Sequence, residues 1–457
     1  MAPRPPATRL VLPALCSGYF VVLLDVTVVN VALPSIGHDL GAGVAGLQWV
    51  VDGYAVALAA LLLAAGTAGD VVGHRRIVLV GLATFGLASL GCGLAPSTAV
   101  LVGGRVAQGI GAALLLPGTL ALLGDAIPGK AEQARAVGIW AAVGSAALPA
   151  GPLLGGVLVQ AASWRLVFLV NVPIVVAAAA AVTVAVPPGR RDTGRRVDVP
   201  GAVAGAVALA GAVLAVVAAG GGRAATAALG GVVAIGATCA LLAVERRSPD
   251  PMLPPALLRE RAFVAANGVA GTMNLATLGM LFLVTLYLQT VQHRSALAAG
   301  VALLPLFLPL TLMAAGVGRV VGRVGPRVPA AVGLGVAAGG FALLLPADAS
   351  TPYVVLLPAL LLWGIGLGVL TPAIVTAALR AVPPERSGLA SGANNTARQA
   401  AGAIGIAVYG AVAGAPTHAA RFLSGLHAMA ACSVVLYLAA AAVTVRWVAV
   451  RSWEPSR

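Results

Sequence analysis

The chain has 457 residues, 60% of them hydrophobic and 9% charged, with a mean hydropathy of +1.00. Soluble globular proteins carry about 25% charged residues, so a water-soluble fold is excluded and a polytopic membrane protein is implied. The net charge of +14 does not mark a nucleic-acid binder, because the basic residues sit in short clusters between apolar runs and not on one face among stacking aromatics.

Apolar windows predict fourteen spans near 10–34, 46–68, 77–95, 99–123, 136–160, 165–186, 200–219, 225–244, 262–288, 298–318, 328–346, 353–378, 388–413 and 425–447. The first follows Arg4 and Arg9 and runs to Pro34 without a small-residue cleavage site, so it reads as a retained span and not a signal peptide. It contains Asp25 and Asn30 within Leu23-Leu-Asp-Val-Thr-Val-Val-Asn-Val-Ala-Leu-Pro34. A carboxylate at bilayer depth costs roughly 2.5–3.5 kcal/mol even on insertion scales, which makes Asp25 the leading functional candidate.

After the second span comes Gly66-Thr-Ala-Gly-Asp70-Val-Val-Gly73-His-Arg75-Arg76. Its glycines permit close approach of helix ends, and Asp70 suits a neighbouring helix N-terminus. We read Gly66, Asp70, Gly73 and Arg75 as a conformational latch. In the fourth span Arg105 and Gln108 share a helix face. A guanidinium stays charged within a membrane and needs an acid, and Asp25 is the evident one.

The fifth span packs Pro149, Gly151, Pro152, Gly155 and Gly156 into eight residues, a composition read as a hinge or leak seal. Spans seven and eight are almost purely Ala, Val, Gly and Leu and are expected at the periphery. Asn267 and Asn274 lie seven residues apart on the ninth span, and the thirteenth gathers Ser387, Ser391, Asn394, Asn395, Arg398 and Gln399 into a polar stripe. With Asp25, Asn30, Arg105 and Gln108 these groups are expected to line one aqueous cavity, walled in part by Trp49, Tyr54, Trp140, Phe282 and Trp363.

Placing the N-terminus in the cytoplasm puts 22 of the 28 basic residues on the inside, so both termini are expected there. The segment Gln108–Pro117 recurs as Trp363–Pro372 at an offset of 255, and Gly66, Gly73 and Arg75 recur as Gly318, Gly325 and Arg327 at 252. This is the parallel repeat of transporters whose halves rock about a midplane site. It divides the chain into a six-helix bundle at 1–187, a linker at 188–261 bearing two extra spans, and a second bundle with a short tail at 262–457. The four cysteines, Cys16, Cys92, Cys239 and Cys432, fall in separate runs and indicate neither disulfide nor metal site. No GxxxxGK[ST] phosphate loop occurs, so no ATP site is indicated, and no cofactor is expected.

LDVTVVNVALP, GDVVGHRR, RVAQGIGAALLLP, LPAGPLLGG with WRLVFLVNVP, and SGLASGANNTARQ together resemble the major facilitator superfamily, in its fourteen-span drug:proton antiporter branch of the EmrB/QacA type. The resemblance implies an all-α membrane protein of two six-helix bundles plus two inserted helices, acting as a monomer in the cytoplasmic membrane and exporting amphipathic small molecules against protons. Asp25 then matches the first-span acid, Asp70 and Arg75 the loop motif, Arg105 and Gln108 the fourth-span motif, and Gly151, Pro152, Gly155 and Gly156 the antiporter motif. Val71, His74 and Gly322 depart from the loop pattern. Asp52 stands where a small polar residue is more usual, and reads either as a second protonatable group or as a solvated side chain near the outer end. A nutrient symporter of the same superfamily is the rival reading, and a membrane enzyme or sensor the more distant one. The glycine-proline run speaks against the first, and the scattered histidines and absence of a soluble domain against the second.

Overall fold

The computed structural model describes residues 6–126, 130–186, 198–247, 257–383 and 386–448. The apolar runs fold into helices α1 (Pro6–Leu40), α2 (Val44–Val72), α3 (His74–Gly93), α4 (Thr98–Ala126), α5 (Lys130–Ala161), α6 (Leu166–Leu169) and α7 (Asn171–Ala185). Two further helices, α8 (Val199–Gly220) and α9 (Ala224–Arg247), precede α10 (Arg261–Leu286), α11 (Ala296–Ala302) and α12 (Leu304–Val324). The chain ends with α13 (Arg327–Ala342), α14 (Tyr353–Arg380), α15 (Ser387–Ala413) and α16 (Ala419–Trp447).

Among the described residues eleven helical segments are long and apolar enough to cross a bilayer, or twelve if α11 and α12, bent by 40°, form one. The predicted fourteen are not reached on this measure, for two physical reasons. Helix α13 has only 16 residues, and the polar stripe of α15 lowers its hydropathy. The predicted sixth span is broken at Val170 into α6 and α7, and the predicted tenth at Leu303.

Packing follows from small residues. In the first part of the chain α1 lies against α4, α5 and α7, and α3 against α4 and α7. A methyl group on Gly111 would stand 2.7 Å from the Phe85 amide nitrogen, and one on Gly366 of α14 would meet Ala337 of α13 just as closely. Such contact lets backbones approach where no hydrophobic force drives helices together in lipid. In the second part α10 packs on α15 and α16, α12 on α14, and α13 on α14 and α16. The two sets meet along α2 with α15, and along α5 with α11 and α12.

The 252-residue repeat has a structural counterpart. Gly73 between α2 and α3 and Gly325 between α12 and α13 both take positive φ, +100° and +80°, a region where a Cβ is strained. Two residues on, Arg75 Nη2 donates to the Thr183 carbonyl at the end of α7 (2.9 Å), and Arg327 Nε donates to the Val448 carbonyl beyond α16 (3.0 Å). Each arginine ties its turn to the last helix of its own half. The inserted pair is less peripheral than expected. Helix α9 packs on α8, but α8 sits against both α2 and α15, with Val213 and Val217 buried among Ala55, Val56, Ala403 and Ala407.

Candidate functional site

Helix α1 presents two polar faces to different surroundings. Tyr19, Leu23, Val26 and Thr27 line a cavity of about 1080 Å³ between the two sets of helices, completed by α2, α4, α5, α10, α12, α14 and α15. Asp25 is roughly 200° around the helix from both Leu23 and Thr27, and points into the first bundle instead. There it forms a buried ion pair with Arg105, the two side chains being 0% and 1% exposed.

The pair is held by a dense network. Arg105 Nε donates to the Val50 carbonyl (2.9 Å), and Nη1 donates to Asp25 and to Gln108 Oε1 (2.9 Å). Gln108 Nε2 donates to Ser89 Oγ (2.8 Å) and more weakly to Asp25 Oδ1 (3.3 Å). The guanidinium also lies 4.5 Å from the Tyr54 ring centroid, within cation–π range. Asn171 of α7 adjoins Asp25 and is fully buried, yet neither of its side-chain polar atoms has a hydrogen bond of acceptable geometry. The sequence signalled Arg105 and Gln108 but gave no reason to choose Asn171.

A single cavity shared by all the polar groups is therefore corrected. Asn274, Asn395 and Arg398 line the cavity, together with Ser391 and Gln399. Asp25, Arg105 and Gln108 stand behind its wall. Asn30 follows Leu23 and Thr27 at helical spacing but lies a turn past the cavity, 4% exposed, with Nδ2 turned back to the Val26 carbonyl (2.9 Å). Asn394 faces α10, not the cavity, and donates to Asn267 Oδ1 (3.3 Å). Arg398 Nε donates to Asn274 Oδ1 (3.4 Å), so the seven-residue pair on α10 serves two different partners on α15. Of the expected aromatic walls only Trp140 lines the cavity. It stacks on Tyr19 with centroids 3.7 Å apart and planes 13° from parallel, a partner the sequence reading missed.

Asp52 is not solvated. It is 0% exposed, and both carboxylate oxygens lack a hydrogen-bond partner among the described residues. Its helix neighbours Gln48, Ala55 and Val56 all meet α15 or α8, which places it beside the seam between the two sets of helices.

The cavity reaches the end of the molecule that holds the α2–α3 turn, since Gly66, Thr67, His74, Asp198 and Arg386 contribute to its lining. Among the described residues none from the opposite end lines the cavity, and there the helices close together. A methyl on Gly156 would lie 2.6 Å from the Leu297 Cα, and one on Gly300 would collide with the Pro152 carbonyl. Gly151 and Gly155 abut Thr27 and Val28 of α1. Pro149 lies in α5, which is one unbroken helix through both prolines. Gln289 Nε2 adds a bond to the Val31 carbonyl (3.0 Å), and Gln48 Nε2 adds bonds to the Ile406 and Ala407 carbonyls (3.1 and 2.8 Å). Of the latch residues, Gly66 lines the cavity, Gly73 shapes the turn and Arg75 ties to α7; the Asp70 side chain lies outside the described residues.

Two helical sets around a central cavity, closed at one end and open at the other, define a small-molecule transporter of the alternating-access type. The sequence profile of the Major Facilitator Superfamily matches residues 15–406, and the chain belongs to that superfamily. It is 38% identical over 397 residues to the multidrug resistance protein Stp of Mycobacterium tuberculosis, covering 86% of this chain and 74% of that protein. It is 36% identical over 419 residues to the puromycin resistance protein pur8 of Streptomyces alboniger, covering 89% and 82%. The fold is also that of a bacterial homologue of the human lysosomal transporter Spinster, solved in an inward-facing, unoccupied conformation, with a TM-score of 0.68 at 18% identity over 99% of this chain and all of the other. The protein is a transporter and not an enzyme.

Proposed function

We propose that the protein exports amphipathic drugs or antibiotics across the cytoplasmic membrane by alternating access, driven by proton entry. The observation that carries this reading is the half-open cavity of about 1080 Å³, in a chain at least 36% identical over most of its length to the two resistance proteins named above. In this reading the chain makes fourteen crossings, with α13 and α15 sheltered by neighbours, and keeps both termini in the cytoplasm as the placement of its arginines favours. Residues 1–187 and 262–457 are the rocking bundles, and 188–261 carries the extra pair. One chain encloses the whole cavity, so a monomer suffices.

Asp25 and Asp52 are the proton carriers of this reading. Protonation of Asp25 removes one charge of a buried pair and frees Arg105 to change partners. Asp52 sits uncompensated at the seam, where gain or loss of a proton changes the electrostatic cost of closing α2 on α15. The test is a drug-susceptibility panel in an efflux-deficient host, comparing the native protein with Asp25→Asn and Asp52→Asn at equal membrane abundance. Everted vesicles supply the direction of transport. Resistance that survives both substitutions and collapse of the proton gradient would sink the coupling scheme. Uptake in place of export would favour a symporter of the same superfamily.

A further inference from the structure

We infer that the cavity is an anion-selecting site in which Arg398 holds the acidic group of a planar amphipath against the Tyr19–Trp140 stack. This rests on the reading of the cavity as the substrate site and names the chemical class it takes. The first observation is the fate of the two intramembrane arginines. Arg105 is consumed by Asp25 behind the wall. Arg398 lies in the cavity lining, half-buried, about 16 Å along α15 from its first residue at 1.5 Å per residue. Its only hydrogen bond to the described residues is the Nε contact to Asn274, and it forms no ion pair with any of them. A guanidinium offers five N–H donors, so most of them are left without a protein partner and open to a ligand's acceptors in the cavity.

The second observation is the sign of the surroundings. Among the described residues the only carboxylate lining the cavity is Asp198. It stands at the entrance and caps α8, its Oδ1 accepting from the Gly201 amide (2.9 Å). Arg386 and Arg398 outnumber it; His74 adds an imidazole at the open end, and the polar groups deeper in, Asn274, Asn395, Gln399 and the hydroxyls of Thr27, Ser145 and Thr277, are neutral. Among the described residues a cationic substrate would find no acid at depth. An anion entering from the open end passes Arg386 and meets Arg398.

The third observation selects the shape. Tyr19 and Trp140 form a flat double layer on the cavity wall, and Tyr19 is an electrostatic neighbour of Arg398. A planar ring can extend the stack while its carboxylate or phenolate reaches the guanidinium, an arrangement that supplies acceptors to the remaining Arg398 donors.

The experiment measures binding to the purified full chain in detergent, by fluorescence anisotropy of two dyes sharing a xanthene ring, fluorescein as the anion and rhodamine 6G as the cation. The native protein should bind fluorescein the tighter. Arg398→Gln should weaken fluorescein about tenfold or more, as expected for loss of a charge-assisted contact, and leave rhodamine 6G unchanged or tighter. Arg398→Lys should restore part of the loss, and Trp140→Leu should weaken both dyes. Tighter native binding of rhodamine 6G, binding of neither dye, or an equal loss of both on Arg398→Gln would overturn the inference. A separate arm follows dye movement in everted vesicles. Failure of transport there with the binding pattern intact would count against the export reading and leave the anion site standing.

Discussion

At the scale of single residues the two buried aspartates make opposite demands on the fold. Asp25 is matched by Arg105, Gln108 and the surrounding shell, so removing its charge strands a guanidinium with no route to water. Breaking one side of such a pair typically costs about 3–5 kcal/mol. Asp25→Asn and Arg105→Ala should therefore each lower the thermal midpoint in detergent sharply, and their double-mutant cycle should show strong coupling. Asp52 has no hydrogen-bond partner to lose among the described residues. Replacing an unsatisfied buried polar group by an apolar one is near neutral or favourable, so Asp52→Leu should hold stability within about 1.5 kcal/mol while abolishing proton-driven export. Thermal unfolding followed by size-exclusion recovery distinguishes the two cases. Outside the membrane-spanning helices, Asp348 shows a third pattern. Its carboxylate accepts from the Ser350 hydroxyl and amide and from the Thr351 hydroxyl, which holds it below the usual aspartate range. The folded chain binds that proton less readily than the unfolded one, so the contribution is complete above the unfolded value of about 3.9 and lost as pH falls through the depressed folded value. The difference in midpoint between the native protein and Asp348→Asn should be constant near neutrality and close below about pH 4.

At the scale of helices, the sequence revealed which residues share a face but not what that face looks upon. The repeat made the turns and their arginines legible, because Gly73, Gly325, Arg75 and Arg327 act through local backbone geometry and the nearest helix end. Asp25 was legible as an acid paired with Arg105 but misplaced by about half a turn, since α1 is polar toward both the cleft and its own bundle and periodicity cannot rank the two. The stripe on α15 split for the same reason: Ser391, Asn395, Arg398 and Gln399 look into the cavity, and Asn394 toward α10. The repeat also shows where the halves have diverged. Thr277 stands 252 residues after Asp25 and bonds the Tyr437 hydroxyl (2.9 Å), and Trp363 stands 255 after Gln108 and packs on Phe341. An ionic network in one bundle is thus an aromatic cluster in the other. The glycine run of α5 belongs to this scale as well. Gly156→Ala would press a methyl against Leu297 at 2.6 Å, and backbone cannot yield as a side-chain tip can. Helices α5 and α11 must then separate at the closed end. In a background without native cysteines, Asn274→Cys should become reactive to an impermeant maleimide added outside intact cells when Gly156→Ala is present, and should be protected from that side when it is not.

At the scale of the whole molecule, closure at one end is a balance of few contacts, among them the side-chain bonds that Gln289 and Gln48 make across the halves. Gln48 of α2 gives both amide hydrogens to carbonyls of α15, at Ile406 and Ala407. Ideal helical carbonyls are already engaged in the i to i+4 ladder, so these are additional bonds that exist only while α2 and α15 are pressed together. Helix α8 lies over the same line of contact with Val213 and Val217, so the inserted pair clamps the seam that Gln48 stitches. A methyl on Gly410 would strike the Gln48 amide, which fixes how closely the two helices approach. Two neutral hydrogen bonds contribute roughly 1–3 kcal/mol in total, and a two-state equilibrium shifts by a factor of ten for each 1.4 kcal/mol. Gln48→Leu keeps the volume and deletes the bonds, so it should shift the equilibrium toward the form open at the opposite end by roughly fivefold to 150-fold without unfolding either bundle. The same Asn274→Cys reporter reads this as faster labelling from outside and slower labelling in everted vesicles, with the thermal midpoint nearly unchanged. If labelling from both sides rose together, the seam would be holding the bundles intact and not setting their tilt.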